Sequence, residues 1–246
     1  MLSKNEVKYI QSLSHKKRRE EENLFIAEGS KIVLECLKEI PDQIFRLYAT
    51  DEYIQLHQLE QDFSDKVIVT EEEMERISQL QTAQQALVIL KKKSVETNKT
   101  INEGWWLALD GIRDPGNMGT IIRLADWFGL NGIICSEDCA DVYNSKVVQA
   151  SMGSIIRVPI LEKNLQLFLS DLNVPLVGAV LGGKEISAYK FPSNGVLVIG
   201  NESTGIRNEI SVLLSDKIMI PRFGQAESLN AAIATGIFLW ELNRPV

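Results

Sequence analysis

Three stretches in the C-terminal half put polar residues where a strand meets a loop or a helix. They read Leu109-Asp-Gly-Ile-Arg-Asp-Pro-Gly-Asn-Met-Gly-Thr-Ile-Ile-Arg123, Val198-Ile-Gly-Asn-Glu-Ser-Thr-Gly-Ile206 and Ile218-Met-Ile-Pro-Arg-Phe-Gly-Gln-Ala-Glu-Ser-Leu-Asn230. In the first, Pro115-Gly116 makes a turn, Asn117 can cap the helix that follows, and Gly119 admits a close backbone neighbour. Arg123 lies among apolar neighbours; taken alone it is a surface arginine paired with Asp126 one turn on. In the second, Gly200 and Gly205 bracket Asn201, Glu202, Ser203 and Thr204. That exposes backbone amides at a strand's C-terminal end, where open α/β sheets bind ligands. Taken alone, Glu202 is a solvated loop carboxylate. In the third, the strand ends at Pro221, and Ser228 can cap the last helix.

The familiar phosphate-binding fingerprints are missing. No Gly-x-Gly-x-x-Gly follows a first strand and no Gly-x-x-x-x-Gly-Lys-Ser/Thr occurs, which disfavours a dinucleotide-dependent or P-loop enzyme. The cysteines number three, an odd count that argues against a disulfide framework. Cys135 and Cys139 have only His15 and His57 as histidine partners, so no metal is expected and the cysteines are read as reduced, in or near the core.

With 246 residues, 45% of them hydrophobic and 24% charged, the chain can bury one large core or two modest ones. No apolar run approaches bilayer length and residues 1–6 contain no apolar signal core, so no membrane association and a cytoplasmic location are expected. The net charge of −7 excludes a generally basic nucleic-acid binder. The local basic clusters are Lys16-Lys-Arg-Arg19 and Lys91-Lys-Lys93, and the first is partly cancelled by Glu20-Glu-Glu22.

Residues 3–22 are predicted as one helix, with Val7, Ile10 and Leu13 at helical spacing. Strands are predicted over 24–27, 44–49, 67–69 and 86–90, and helices over 30–40, 52–61 and 71–80. These elements make a small α/β domain over 1–91, followed by a polar linker over 92–103 and a second domain over 104–246. In that second domain the predicted strands are 105–109, 132–135, 176–180, 196–200 and 217–220, with helices from about 117 to 128 and over 228–242. Short all-apolar strands separated by helices imply a parallel sheet covered on both faces.

The three polar stretches, in this order, resemble the three motifs of the SpoU (TrmH-type) RNA ribose 2'-O-methyltransferases of the SPOUT superfamily, over about 105–243. The pattern Lys17-Arg-Arg19 followed by Leu24-Phe-Ile-Ala-Glu-Gly29 is similar to the ribosomal-protein-like substrate-binding domain that precedes many of these enzymes. Where the family usually has Arg-Thr-Ala, this chain has Arg123-Leu124-Ala125. Where it often has Val-Ser-Val-Ala, this chain has Ala231-Ala232-Ile233-Ala234.

The resemblance implies a C-terminal trefoil-knotted domain that uses S-adenosyl-L-methionine, without metal, to methylate a ribose 2'-hydroxyl. It implies Asn117, Arg123, Glu202, Ser228 and Asn230 as the catalytic group, and Leu181, Gly200, Asn201, Ile220 and Leu229 around the cofactor. A ribose hydroxyl is a poor acid, and a fixed guanidinium at Arg123 would stabilise the developing alkoxide or grip a phosphate. The family is homodimeric. The preceding domain favours ribosomal RNA over tRNA as the partner. A tRNA-directed enzyme, or a non-catalytic RNA-binding protein on the same fold, is the alternative; the presence of the whole catalytic group argues against decay.

Overall fold

A computed structural model describes residues 1–59, 65–93, 101 and 103–244. The chain divides into two compact units, Met1–Ser94 with Asp141–Ile156, and Val95–Ala140 with Arg157–Val246. Of the linker expected over 92–103, residues 94–100 and 102 lie outside the described residues, as do 60 and 61 of the helix expected over 52–61.

The first unit holds α1 (Lys4–Ser12), α2 (Lys16–Glu22), β1 (Leu24–Glu28), α3 (Ser30–Glu39), β2 (Ile44–Ala49), α4 (Asp51–Leu56), β3 (Lys66–Ile68), α5 (Glu71–Ile77) and β4 (Ala86–Lys91). Its sheet order is β1-β4-β2-β3, antiparallel except for the β2–β3 pair. Val7, Ile10 and Leu13 pack with Ile26, Tyr48, Leu87 and Ile89 in one core.

The single helix expected over 3–22 is in fact two. Ser3 caps α1 by accepting from Glu6 N at 3.1 Å, and the chain turns at 13–15 before α2 begins. The break is held by Arg19, whose Nη1 donates to the carbonyls of Leu13 and Ser14, each at 2.7 Å. Arg19 is therefore buried and ion-paired with Asp141, so the basic cluster presents only Lys16, Lys17 and Arg18 outward. Arg18 in turn pairs with Glu21 and Glu22. Asp141 belongs to a segment that the sequence reading gave to the second domain. Residues 141–156, including α7 (Ser145–Ser151), group with the first unit instead, where the Tyr143 ring lies 4.7 Å from that of Phe25.

The second unit holds β5 (Trp105–Asp110), α6 (Pro115–Trp127), β6 (Gly132–Ser136), β7 (Ile160–Lys163), α8 (Leu165–Ser170), β8 (Leu176–Glu185), β9 (Gly195–Gly200), α9 (Asn208–Ser211), β10 (Asp216–Met219) and α10 (Ala231–Leu242). Its six-stranded sheet, ordered β10-β8-β9-β5-β6-β7, is parallel throughout, as the apolar strands imply. β7, α8 and α9 escaped the sequence reading because each is only four to six residues long. The chain runs outward from β5 to one edge and returns to build the other side. The reversal lies between β5 and β6 on one side and β9 on the other, a place where open α/β sheets bind ligands at the strands' C-terminal ends.

β8 is longer than expected and pairs with β10 in two registers. Lys217 faces Gly178 whereas Ile218 faces Lys184, so residues 179–183 are skipped in the pairing with β10, Leu181 among them. A Cβ on Gly183 would stand 2.6 Å from the Lys217 carbonyl, so only glycine lets β10 approach there.

Candidate active site

The first motif folds locally through Asp114. Its carboxylate accepts from Asn117 N at 2.7 Å and caps α6, with Pro115 as the first helical residue. Asn117 is thus not the cap the sequence suggested. It sits inside the first turn with its side chain free to project.

That side chain meets the other two motifs. Asn117 Nδ2 donates to Glu202 Oε1, and Asn117 Oδ1 accepts from Asn230 Nδ2 at 2.8 Å. Asn230, not Ser228, caps α10: its Oδ1 accepts from Ala232 N at 3.0 Å and Ile233 N at 3.2 Å. The cap orients every amide in the row. With Oδ1 of Asn230 committed to helix N–H groups, its Nδ2 must face Asn117. Asn117 then turns its carbonyl to Asn230 and its own Nδ2 to the carboxylate. Ser228 is exposed two residues before the cap.

The second motif is a closed loop. Asn201 and Gly205 exchange backbone hydrogen bonds at 3.2 and 2.8 Å. A Cβ on Gly200 would overlap the Gly205 carbonyl, so the loop closes only over glycine. The Asn201 side chain is spent inside this structure. Its Nδ2 donates to Gly111 O at 2.9 Å and its Oδ1 accepts from Ser203 N at 2.9 Å. Glu202 is left half-buried at the loop's tip, facing Asn117.

Arg123 is not brought into this row. It lies six residues beyond Asn117 on α6, about 240° around the helix axis. It is exposed, and its side chain makes no ion pair or hydrogen bond among the described residues. The partner expected for it, Asp126, bonds Arg157 instead, at 2.8 Å. Of the expected cofactor residues, Gly200 ends β9 and Ile220 follows β10, both half-buried, whereas Leu181 lies within β8, 78% exposed, and Leu229 just before the α10 cap, 46% exposed.

Two residues of the region were missed from sequence. Asp110 is 1% exposed at the end of β5, and its carboxylate accepts from Arg207 N at 2.8 Å and Arg207 Nε at 2.6 Å. An acid ending the otherwise apolar run Trp105-Trp-Leu-Ala-Leu109 was the available signal. None of the three cysteines is in a disulfide; Cys36 and Cys135 are buried. Half-buried Cys139 has its thiol pulled down to about 7, chiefly by a hydrogen bond from Cys135. Among the described residues no His, Cys, Asp or Glu cluster could hold a metal ion, and no helix is long and apolar enough to cross a membrane.

The profile of the SpoU rRNA Methylase family matches residues 105–240, the span that holds all three loops. The chain belongs to the SpoU rRNA methylase family. Residues 4–88 match the MRM3-like substrate binding domain. Along nearly its full length this SpoU chain is similar to the Bacillus subtilis 23S rRNA guanosine 2'-O-methyltransferase RlmP, with 29% identity over 96% of this chain and 95% of that protein. Among solved structures it is similar to a TrmH-family protein from Porphyromonas gingivalis, at TM-score 0.87 and 34% identity over 98% of both chains. It is also similar to the AdoMet-bound rRNA methyltransferase of Sinorhizobium meliloti, at TM-score 0.85 and 32% identity over 98% of this chain and 96% of that one.

Proposed function

We propose that this chain is an S-adenosylmethionine-dependent 2'-O-ribose methyltransferase of ribosomal RNA, located in the cytoplasm. The observation that carries the reading is the hydrogen-bonded row Glu202–Asn117–Asn230, assembled from three sequence motifs at the C-terminal ends of a parallel sheet. Ribosomal RNA is favoured because the relatives named for it match both units, including the first, whose match is to a substrate-binding domain.

The strand-end loops suit the cofactor. Exposed Leu181 and Leu229 and half-buried Ile220 offer apolar surface for an adenosine, and the pinned Gly200–Gly205 loop offers backbone donors and acceptors. When bound, S-adenosylmethionine supplies an electrophilic methyl group on a sulfonium. The chain's own work is to place a ribose hydroxyl in line with it, and positioning of this kind can lower a barrier by several kcal/mol, about 7–11 in the best cases. Arg123 stabilises charge developing on the ribose oxygen through its guanidinium donors. Glu202 holds Asn117, and through it Asn230, in register. Ser228, exposed two residues before the α10 cap, would meet the RNA.

Arg123 reaches a site only across a dimer. Thr120, Arg123 and Trp127 form an exposed stripe on α6, and Ile233, Ile237 and Trp240 form another on α10. The two helices pack side by side, with Leu124 against Gly236. Trp127 is 80% and Trp240 65% exposed, which is unusual for residues of this size outside an interface. A second copy related by a two-fold axis covers both stripes and carries Arg123 to the partner's row. The further reading that the loops of this unit thread as a trefoil knot rests on the family's motifs in this order along the chain. Transfer of labelled methyl to ribosomal RNA, lost in Asn117→Ala and Glu202→Ala, tests the proposal.

A further inference from the structure

We propose that Asp110 and Arg207 form a positioning pair that fixes the Glu202 loop against the Asn117 loop and thereby sets the rate of methyl transfer. The inference rests on reading Asn117 and Glu202 as site residues.

Asp110 ends β5 directly opposite Gly200, the last residue of β9. Its carboxylate is 1% exposed, and a charge so removed from water must be paired to persist. One residue supplies the donors. Arg207 gives its backbone N–H to Oδ2 at 2.8 Å, and Nε, at 2.6 Å, together with Nη2 to Oδ1. Arg207 lies five residues beyond Glu202, just past the closure at Gly205. The loop is therefore anchored twice to the same end of β5, at Gly200 by strand pairing and at Arg207 through Asp110.

The anchor extends towards Asn117. Arg207 Nη2 faces Asp138 Oδ1 at 3.5 Å, and Asp138 Oδ2 pairs with Arg113 at 3.1 Å, on the loop that leads into α6. Asp138 Oδ1 also accepts from the Ser136 hydroxyl at 2.7 Å, and that hydroxyl oxygen accepts from Gly111 N at 2.9 Å. Asn201 closes the circuit by donating to Gly111 O. Neither Asp110 nor Arg207 bonds Glu202, Asn117 or Asn230, so the pair acts through the loops rather than on the reacting groups. Arginine is required because the contact uses a planar fork and the residue's own N–H together; a lysine keeps the charge and loses the fork.

The test measures kcat, KM for ribosomal RNA, cofactor affinity by calorimetry and thermal stability for Arg207→Lys, Asp110→Asn, and the two combined. A misplacement of about 1 Å can reduce turnover about a hundredfold. We expect kcat to fall to that extent in both single variants, with cofactor affinity, RNA KM and Tm near those of the parent. We expect the double variant to be no slower than the slower single one, as for groups acting as a unit. Arg157→Ala, which breaks the separate Asp126 pair, should leave kcat unchanged. Normal kcat in Arg207→Lys and Asp110→Asn, with Asn117→Ala and Glu202→Ala inactive, overturns the pair's role alone. Normal kcat in Asn117→Ala and Glu202→Ala overturns the site reading beneath it. Loss of folding in both Arg207→Lys and Asp110→Asn, or additive losses in the double variant, makes the pair a structural contact and overturns the inference.

Discussion

Asn230 joins the start of the last helix to Asn117, 113 residues earlier in the chain, by a 2.8 Å side-chain hydrogen bond. One amide thus performs two tasks: its oxygen caps α10 and its nitrogen completes the row that ends at Glu202. The tasks are separable by substitution. Asn230→Asp keeps the capping oxygen and removes the donor, so its Tm should stay close to the parent's while kcat falls at least tenfold. Asn230→Ala removes both, and should lose about 1 kcal/mol of stability as well, the usual size of a lost N-cap. Thermal melts beside turnover assays check the split.

Arg123→Ala should retain near-normal cofactor binding and lose most methyl transfer. If Arg123 serves the partner's row, mixing inactive Arg123→Ala and Glu202→Ala subunits will regenerate one intact site per mixed dimer. Recovery of activity on mixing, measured against either variant alone, checks this.

Much of the frame was legible. The apolar runs at 105–109 and 196–200 read as buried parallel strands, and the three motifs marked the strand ends that carry the site. The errors fall where a contact distant in sequence decides. Helical periodicity continues past Leu13, but the carbonyls there are claimed by Arg19, which is itself fixed by Asp141. Ser228 and Asn230 are both good caps, and only the fold shows that Asn230 caps α10 and also meets Asn117. Asp114 was readable, since a proline at the first helical position places the cap just before it. Arg207 could not be matched to Asp110 without the fold.

The exposed stripes on α6 and α10 predict that Ile233→Glu combined with Trp240→Glu yields a monomer. Light scattering or sedimentation should show half the parent's mass, with the circular dichroism spectrum retained and methyl transfer abolished.

Gly200→Ala should leave the sheet folded but prevent the Glu202 loop from closing on Gly205. Both cofactor binding by calorimetry and turnover should fall, in contrast to Asn117→Ala, which should lose turnover alone.

Ribose methylation can be assayed by supplying labelled S-adenosylmethionine and ribosomal RNA from cells lacking this protein, then digesting the product to nucleosides. Label should appear in a single 2'-O-methylnucleoside and be absent when Asn117→Ala or Glu202→Ala replaces the parent protein. Label on a base, or no label with cofactor binding intact and ribosomal particles also supplied as substrate, would contradict it.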